Sequence, residues 1–188
     1  MNRTASRGLA WLYLVGGALG LAAAVTLTLE KLARLTDPSY VPSCSINPVL
    51  SCGSVMDSAQ AAVFGFPNPL LGVAAFPVVV TIGVALLTGY DPPRWVWSGL
   101  QIGTLLGTGF VHWLIGQSLY RIHALCPYCM VVWVVTIALF WYTTLHNLAG
   151  TRIGGALRRV HSGVLALWYV AIVVLILAEF WDYWSTLF

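Results

Sequence analysis

Charge is what this chain lacks. Aspartate, glutamate, lysine and arginine make up 8% of its 188 residues, against 59% hydrophobic residues. Soluble domains carry about 25% charged and about 45–50% apolar residues. A chain this short cannot hide so large an apolar excess from water, which excludes an ordinary soluble domain and indicates a membrane protein. The sequence also lacks a basic cluster dense enough for nucleic acid, a solenoid repeat and a low-complexity tract. Cysteine is scarce too: four residues, all placed where chemistry is expected.

The uncharged stretches have membrane length. No charge falls between Gly8 and Leu29, Ser58 and Tyr90, Trp95 and Tyr120, Ile122 and Thr151, or Val160 and Ala178. About 20 apolar residues in a helix cross a hydrocarbon core of roughly 30 Å. Backbone groups in lipid must pair within their own element, and no strand-like alternation is present, so helices are expected. The runs predict spanning helices at about 9–29, 70–89, 97–118, 127–147 and 161–181. The first run is too long for a signal-peptide core, and Glu30-Lys31 follows where small cleavage-site residues would stand, so it is read as a retained helix.

With the N-terminus in the cytoplasm, the inner segments hold Arg3, Arg7, Arg94, Arg152, Arg158 and Arg159, and the outer ones hold Lys31, Arg34 and Arg121. The bias is positive-inside. It places all four cysteines and the C-terminal end outside, in a compartment where dithiols can cycle as disulfides.

The longest connection, 30–69, carries EKLARLTDPSYVPS, then CSINPVLSC, then GSVMDSAQAAVFG. Ser54 with Asp57 resembles a capping box, and Val55, Ala59, Ala62 and Val63 fall on one helical face. A short helix of two to three turns is predicted, stopped by Gly65 and the prolines around Asn68. Gly16/Gly20 and Gly99/Gly103/Gly107 have the spacing that permits close helix contact in membranes. His112, in mid-helix, reads as a buried, hydrogen-bonded structural residue.

Cys126-Pro127-Tyr128-Cys129 opens the fourth long run. Cys126 is expected at the N-cap and Pro127 in the first turn, where unpaired amides and the helix dipole favour a thiolate. Cys44 and Cys52 lie in the outer loop on the same face. A mobile dithiol and a fixed one form a possible relay, because exchange proceeds by thiolate attack through mixed disulfides. Structural zinc and two static disulfides are the competing uses of four cysteines; zinc pairs usually stand closer than Cys44 and Cys52. A dithiol at the membrane edge adjoins lipid, where a quinone is the natural two-electron acceptor. Trp133, Phe64, Phe66 and Phe76 can line an apolar slot for it, and Asn68 can hydrogen-bond a carbonyl.

The C-x7-C loop, the nearby serine, PNPLLG and CPYC at a helix start together resemble the vitamin K epoxide reductase family, especially its bacterial quinone-reducing members, over about residues 9–147. The resemblance implies an all-α polytopic membrane protein: a four-helix bundle around a quinone site, a fifth transmembrane helix and a short helix in the outer loop. It implies one integral membrane domain over 1–188, with a catalytic core of 9–147, in a bacterial inner membrane. Cys44 and Cys52 are then the shuttle pair, and Cys126 and Cys129 the active-site pair. Electrons from a reduced extracytoplasmic thioredoxin-like or disulfide-oxidase protein would come in at Cys44. Cys52 would attack Cys126 of the Cys126–Cys129 disulfide, and the freed Cys129 would face menaquinone or ubiquinone. Ser58 and Asn68 match quinone-binding positions, and Trp133 stands where vertebrate enzymes have tyrosine, so quinone reduction is favoured over epoxide reduction. Many bacterial relatives continue into a fused thioredoxin-like domain that is expected to be missing here. The alternative is a non-catalytic transporter or scaffold with structural disulfides.

Overall fold

A computed structural model describes residues 6–186; Arg3, counted above for orientation, lies outside them. The described residues form helices and connecting turns, with no strand among them, as expected of an all-α polytopic membrane protein. The long elements are α1 (Arg7–Thr36), α3 (Pro69–Leu87), α4 (Arg94–Gln117), α5 (Pro127–Asn147) and α7 (His161–Glu179). Short pieces join them: α2 (Cys52–Met56), α6 (Arg152–Arg159) and α8 (Trp181–Ser185).

Four helices, α1, α3, α5 and α7, are long and apolar enough to cross a membrane. α4 was expected among them and has the length, at 24 residues, but Gln101, Thr104, Thr108, His112 and Gln117 dilute its apolar character. Connectivity still requires it to run back across the bundle. α3 starts and α5 starts at the cysteine end, so the chain that leaves along α3 must return along α4. Its polar groups are used inside the bundle: Gln101 Nε2 donates to Thr144 Oγ1 at 3.0 Å, and Thr104 Oγ1 donates to Leu100 O at 2.7 Å.

Packing is set by glycine against bulk. A Cβ on Gly20 would meet the Phe76 ring at 2.4 Å, and one on Gly83 would meet Leu14 N at 2.5 Å. These contacts draw α1 onto α3, and α1 departs from α-helical pairing at Leu12–Gly16, a π-helical turn beside Gly83. Gly99 and Gly103 behave differently from the expected close-packing stripe. Nothing lies within 4 Å of a Cβ built on either, and both face a cavity. α3 and α4 have almost no direct contact, and the cavity opens between them.

Two expectations for the outer loop are corrected. α1 runs to Thr36, seven residues past its apolar run, because Glu30, Lys31 and Arg34 all find partners in the loop above it. The short helix starts at Cys52, not at Ser54. Ser51 is its N-cap, accepting from Ser54 N at 3.3 Å, and Asp57 is drawn off to Arg34. The helix therefore ends after five residues, and a 3₁₀ turn at Ala59–Ala62 follows it instead of a continuous amphipathic face.

His112 is hydrogen-bonded, as expected, but half-buried where burial was expected. Its Nδ1 lies 2.8 Å from Thr108 O, and its Nε2 accepts from Trp168 Nε1 at 2.9 Å, which assigns the neutral Nδ1–H tautomer and ties α7 to α4.

Candidate active site

The site is assembled from the top of α1 upward. Glu30, buried, accepts hydrogen bonds from the Ser43 amide at 3.2 Å and from Tyr40 Oη at 3.0 Å, fixing the chain just before Cys44. Lys31 Nζ donates to Met56 O at 2.8 Å, and Arg34 Nε donates to Asp57 at 2.8 Å while its Nη1 donates to Tyr40 O. Arg34 holds the Asp57 carboxyl below the usual carboxylate range. In the CSINPVLSC loop, Asn47 Oδ1 accepts from the amides of Val49 and Leu50, closing the turn around Pro48. Cys44 and Cys52 form a disulfide, with Cα atoms 5.5 Å apart.

A two-bond backbone ladder brings this loop to CPYC. Leu125 N donates to Val49 O at 2.7 Å, and Ser51 N donates to Leu125 O at 2.9 Å. Each of these bonds ends one residue before a cysteine or close to it, so the ladder sets Cys52 beside Cys126. Their Sγ atoms are 3.0 Å apart, and the sulfurs of Cys44, Cys52 and Cys126 all lie within 4.8 Å of one another. Sequence reasoning missed the ladder. Its bonds join backbone atoms of Val49, Ser51 and Leu125, which carry no sequence signature.

The CPYC end behaves as the sequence predicts. Cys126 is the N-cap of α5 with extended backbone, and Pro127 is the first helical residue. His123, with φ 54°, ends the π-helical turn Ser118–Ile122 in the left-handed region and turns the chain toward Cys126. Cys126 and Cys129 are free thiols. A hydrogen bond from Cys129 lowers the Cys126 pKa, the amides of Cys129 and Tyr128 add to it, and burial opposes them. A buried thiol biased toward thiolate thus touches a disulfide sulfur. That geometry permits thiol–disulfide exchange: attack by Cys126 on Cys52 forms one S–S bond and releases Cys44.

Below the sulfurs lies a cavity of about 860 Å³. It is bordered by Cys126 and Cys129 at one end and reaches Trp95, Val96 and Gly99 at the far end of α4. Five of the six residues expected around an acceptor line it: Ser58, Phe64, Asn68, Phe76 and Trp133. Phe66 does not, and stacks on Phe64 with ring centres 6.2 Å apart. Ser58 Oγ donates to Val55 O at 2.7 Å. Asn68 is held by its own loop, donating from Nδ2 to Gln60 O at 2.7 Å and accepting from Val63 N at 3.2 Å. An amide carries two N–H donors, so Asn68 keeps one for a ligand. The walls are otherwise almost wholly apolar, and the size falls in the range of small-molecule pockets. The cavity can hold a lipophilic small molecule beside the dithiol, with Lys31, Gln60, Thr104, Ser118 and Thr136 joining Ser58 and Asn68 as its polar lining.

A family model described as the vitamin K epoxide reductase family matches residues 11–144. No curated protein matches the chain.

Proposed function

The chain belongs to the vitamin K epoxide reductase family, and from that membership we propose a membrane thiol oxidoreductase that oxidises a thioredoxin-like protein and reduces a quinone. The observation that carries the proposal is the 3.0 Å contact between Cys52 and Cys126 at the head of an apolar cavity. A transporter or scaffold has no need of a disulfide in contact with a thiolate-biased cysteine.

The relay runs by four exchanges that conserve electrons. A thiolate of a dithiol partner outside the cytoplasm attacks Cys44, forming a mixed disulfide and releasing Cys52, and the partner's second thiol then frees Cys44 so that the partner leaves oxidised. Cys52 thiolate then attacks Cys126 of the Cys126–Cys129 disulfide. A Cys52–Cys126 bond forms, and Cys129 leaves as thiolate. Cys44 next attacks Cys52, which restores the loop disulfide and frees Cys126. The resulting state has the loop oxidised and both CPYC sulfurs free. Bound menaquinone or ubiquinone supplies a sink for two electrons and two protons, leaving as hydroquinone while the Cys126–Cys129 disulfide re-forms. Cys129 borders the cavity and faces the acceptor, Asn68 offers an N–H to a carbonyl, and Phe76 and Trp133 exclude water. Ser58 must turn its hydroxyl away from Val55 to donate, so its loss lowers turnover without abolishing it.

The membrane is the bacterial inner membrane, with the arginine-rich end in the cytoplasm and the cysteines outside. The net effect is disulfide formation in exported proteins.

The test is quinone reduction by purified protein, with either a reduced thioredoxin-like donor or a small dithiol. Cys129→Ser is expected to reduce turnover to background with both donors. Cys44→Ser is expected to stop the protein donor while the small dithiol retains activity. Equal failure of Cys44→Ser with both donors would refute the division into shuttle and acceptor-facing pairs. Quinone reduction that survives Cys129→Ser would refute the whole route.

A further inference from the structure

A second cleft lies at the end of the bundle opposite the cysteines. It has a volume of about 630 Å³ and sits where the start of α1, the end of α5 and the α6–α7 junction meet. Its lining combines Ser6, Arg158, His161, His146 and Tyr142 with Leu9, Leu12 and Leu145, and Leu145 stands between Tyr142 and His146 on α5.

The polar lining is set for an anion. Arg158 makes one hydrogen bond among the described residues, from Nη2 to Leu145 O, at the limiting distance of 3.5 Å. A guanidinium carries five N–H donors in a planar fork suited to phosphate, so most of that capacity is left over. No carboxylate lines the cleft, and Asp91, in the turn between α3 and α4, is the one acid among the described residues at this end of the bundle. His161 is fixed from behind, with Nδ1 3.1 Å from Tyr142 Oη and its carbonyl accepting from Trp141 Nε1 at 3.0 Å. His146 is held by stacking on Trp97 at 3.8 Å.

The surroundings indicate a bilayer boundary. α6 places Arg152, Arg158 and Arg159 beside exposed Ile153 and Val160, a mixture that suits the headgroup–acyl interface. α1 and α7, both of membrane-spanning character, start at this level.

The geometry points to a binding site for the phosphodiester headgroup of an anionic phospholipid, with Arg158 and His161 holding the phosphate and the exposed Ile153 and Val160 beside them meeting the first acyl methylenes. The site is distinct from the sulfur relay and does not depend on it. It would join α1, α5 and α7 through one ligand, which matters because α7 is otherwise the least buried of the membrane-crossing helices.

The test uses the full chain in detergent, delipidated and then titrated with phosphatidylglycerol or phosphatidylcholine, read by native mass spectrometry and by thermal unfolding. Phosphatidylglycerol is expected to be retained at least about tenfold better than phosphatidylcholine, which keeps the phosphate but sets a choline cation against Arg158 and its basic neighbours, and to raise the unfolding temperature. Arg158→Gln should remove most of that preference, and Arg152→Gln, which deletes the same charge outside the cleft, should not. Equal loss in the two variants would reduce the effect to diffuse charge and overturn the site. An unfolding shift produced equally by inorganic phosphate would replace the lipid with a free anion. If Arg158→Gln does not fold, the unmodified protein still decides: no preference between the two lipids overturns the proposal.

Discussion

Cys126 is where sequence, local structure and chemistry meet in one residue. CPYC predicts an N-cap cysteine followed by a helical proline, and that is what α5 has. The resemblance implied that Cys52 meets Cys126, 74 residues away in the chain, but the backbone ladder that makes the contact has no sequence signature. The direction of the Cys126 pKa gives a prediction with a definite sign. A free thiol titrates near 8.5, and the hydrogen bond from Cys129 lowers this one. The thiolate, and with it the nucleophile, should persist below the ordinary thiol range and be lost only as pH falls through the depressed value. Alkylation of Cys126 by a small reagent, followed by mass spectrometry across pH, should show a midpoint below about 8.5. Cys129→Ala removes the largest cause and should move that midpoint upward. An unmoved midpoint would assign the thiolate to the helix end alone. Asn68 and Ser58 were legible as polar groups near the right depth, but their bonds to Gln60, Val63 and Val55 were not, since those partners are backbone atoms with no sequence signature.

At the scale of elements, apolar runs located the helices well and glycines poorly. Four-residue spacing looks the same whether a glycine stripe meets another helix or an open cavity. Gly83 and Gly103 separate the two cases. An alanine methyl at Gly83 would lie 2.5 Å from the backbone of Leu14, which has no flexible end to move aside; at Gly103 it would meet nothing within 4 Å. Gly83→Ala is expected to destabilise the α1–α3 pair by about 1–3 kcal/mol, the usual cost of overpacking. Gly103→Ala should leave thermal unfolding in detergent unchanged. Equal melting of the two variants would mean that α1 shifts freely along α3. The short helix shows the opposite lesson. Ser54 and Asp57 have capping-box spacing, yet Asp57 is more strongly claimed by the Arg34 fork, a charge-assisted pair that the local pattern does not encode.

The whole molecule has a sidedness that follows from contacts alone. Cys52 touches Cys126, so the top of α1, the start of α3, the end of α4 and the start of α5 share one face. The α3–α4 turn and the α5–α6 connection must then share the other. The composition predicted this division through its charges: Arg7, Arg94, Arg152, Arg158 and Arg159 collect on the second face, against Lys31, Arg34 and Arg121 on the first. It could not reveal that Lys31 and Arg34 are spent on holding the loop, through Met56 O and Asp57, and so contribute less to orientation than their number suggests. The proposed orientation, with the second face in the cytoplasm, follows the positive-inside rule. Single cysteines introduced as Ser45→Cys and Thr151→Cys, with the native cysteines replaced by serine, test this in intact cells. A membrane-impermeant maleimide should label Ser45→Cys directly and Thr151→Cys only after permeabilisation. Labelling of both from one side would place the two loops on the same face and undo the relay, because the sulfurs would no longer stand between an external donor and an acceptor within the bilayer.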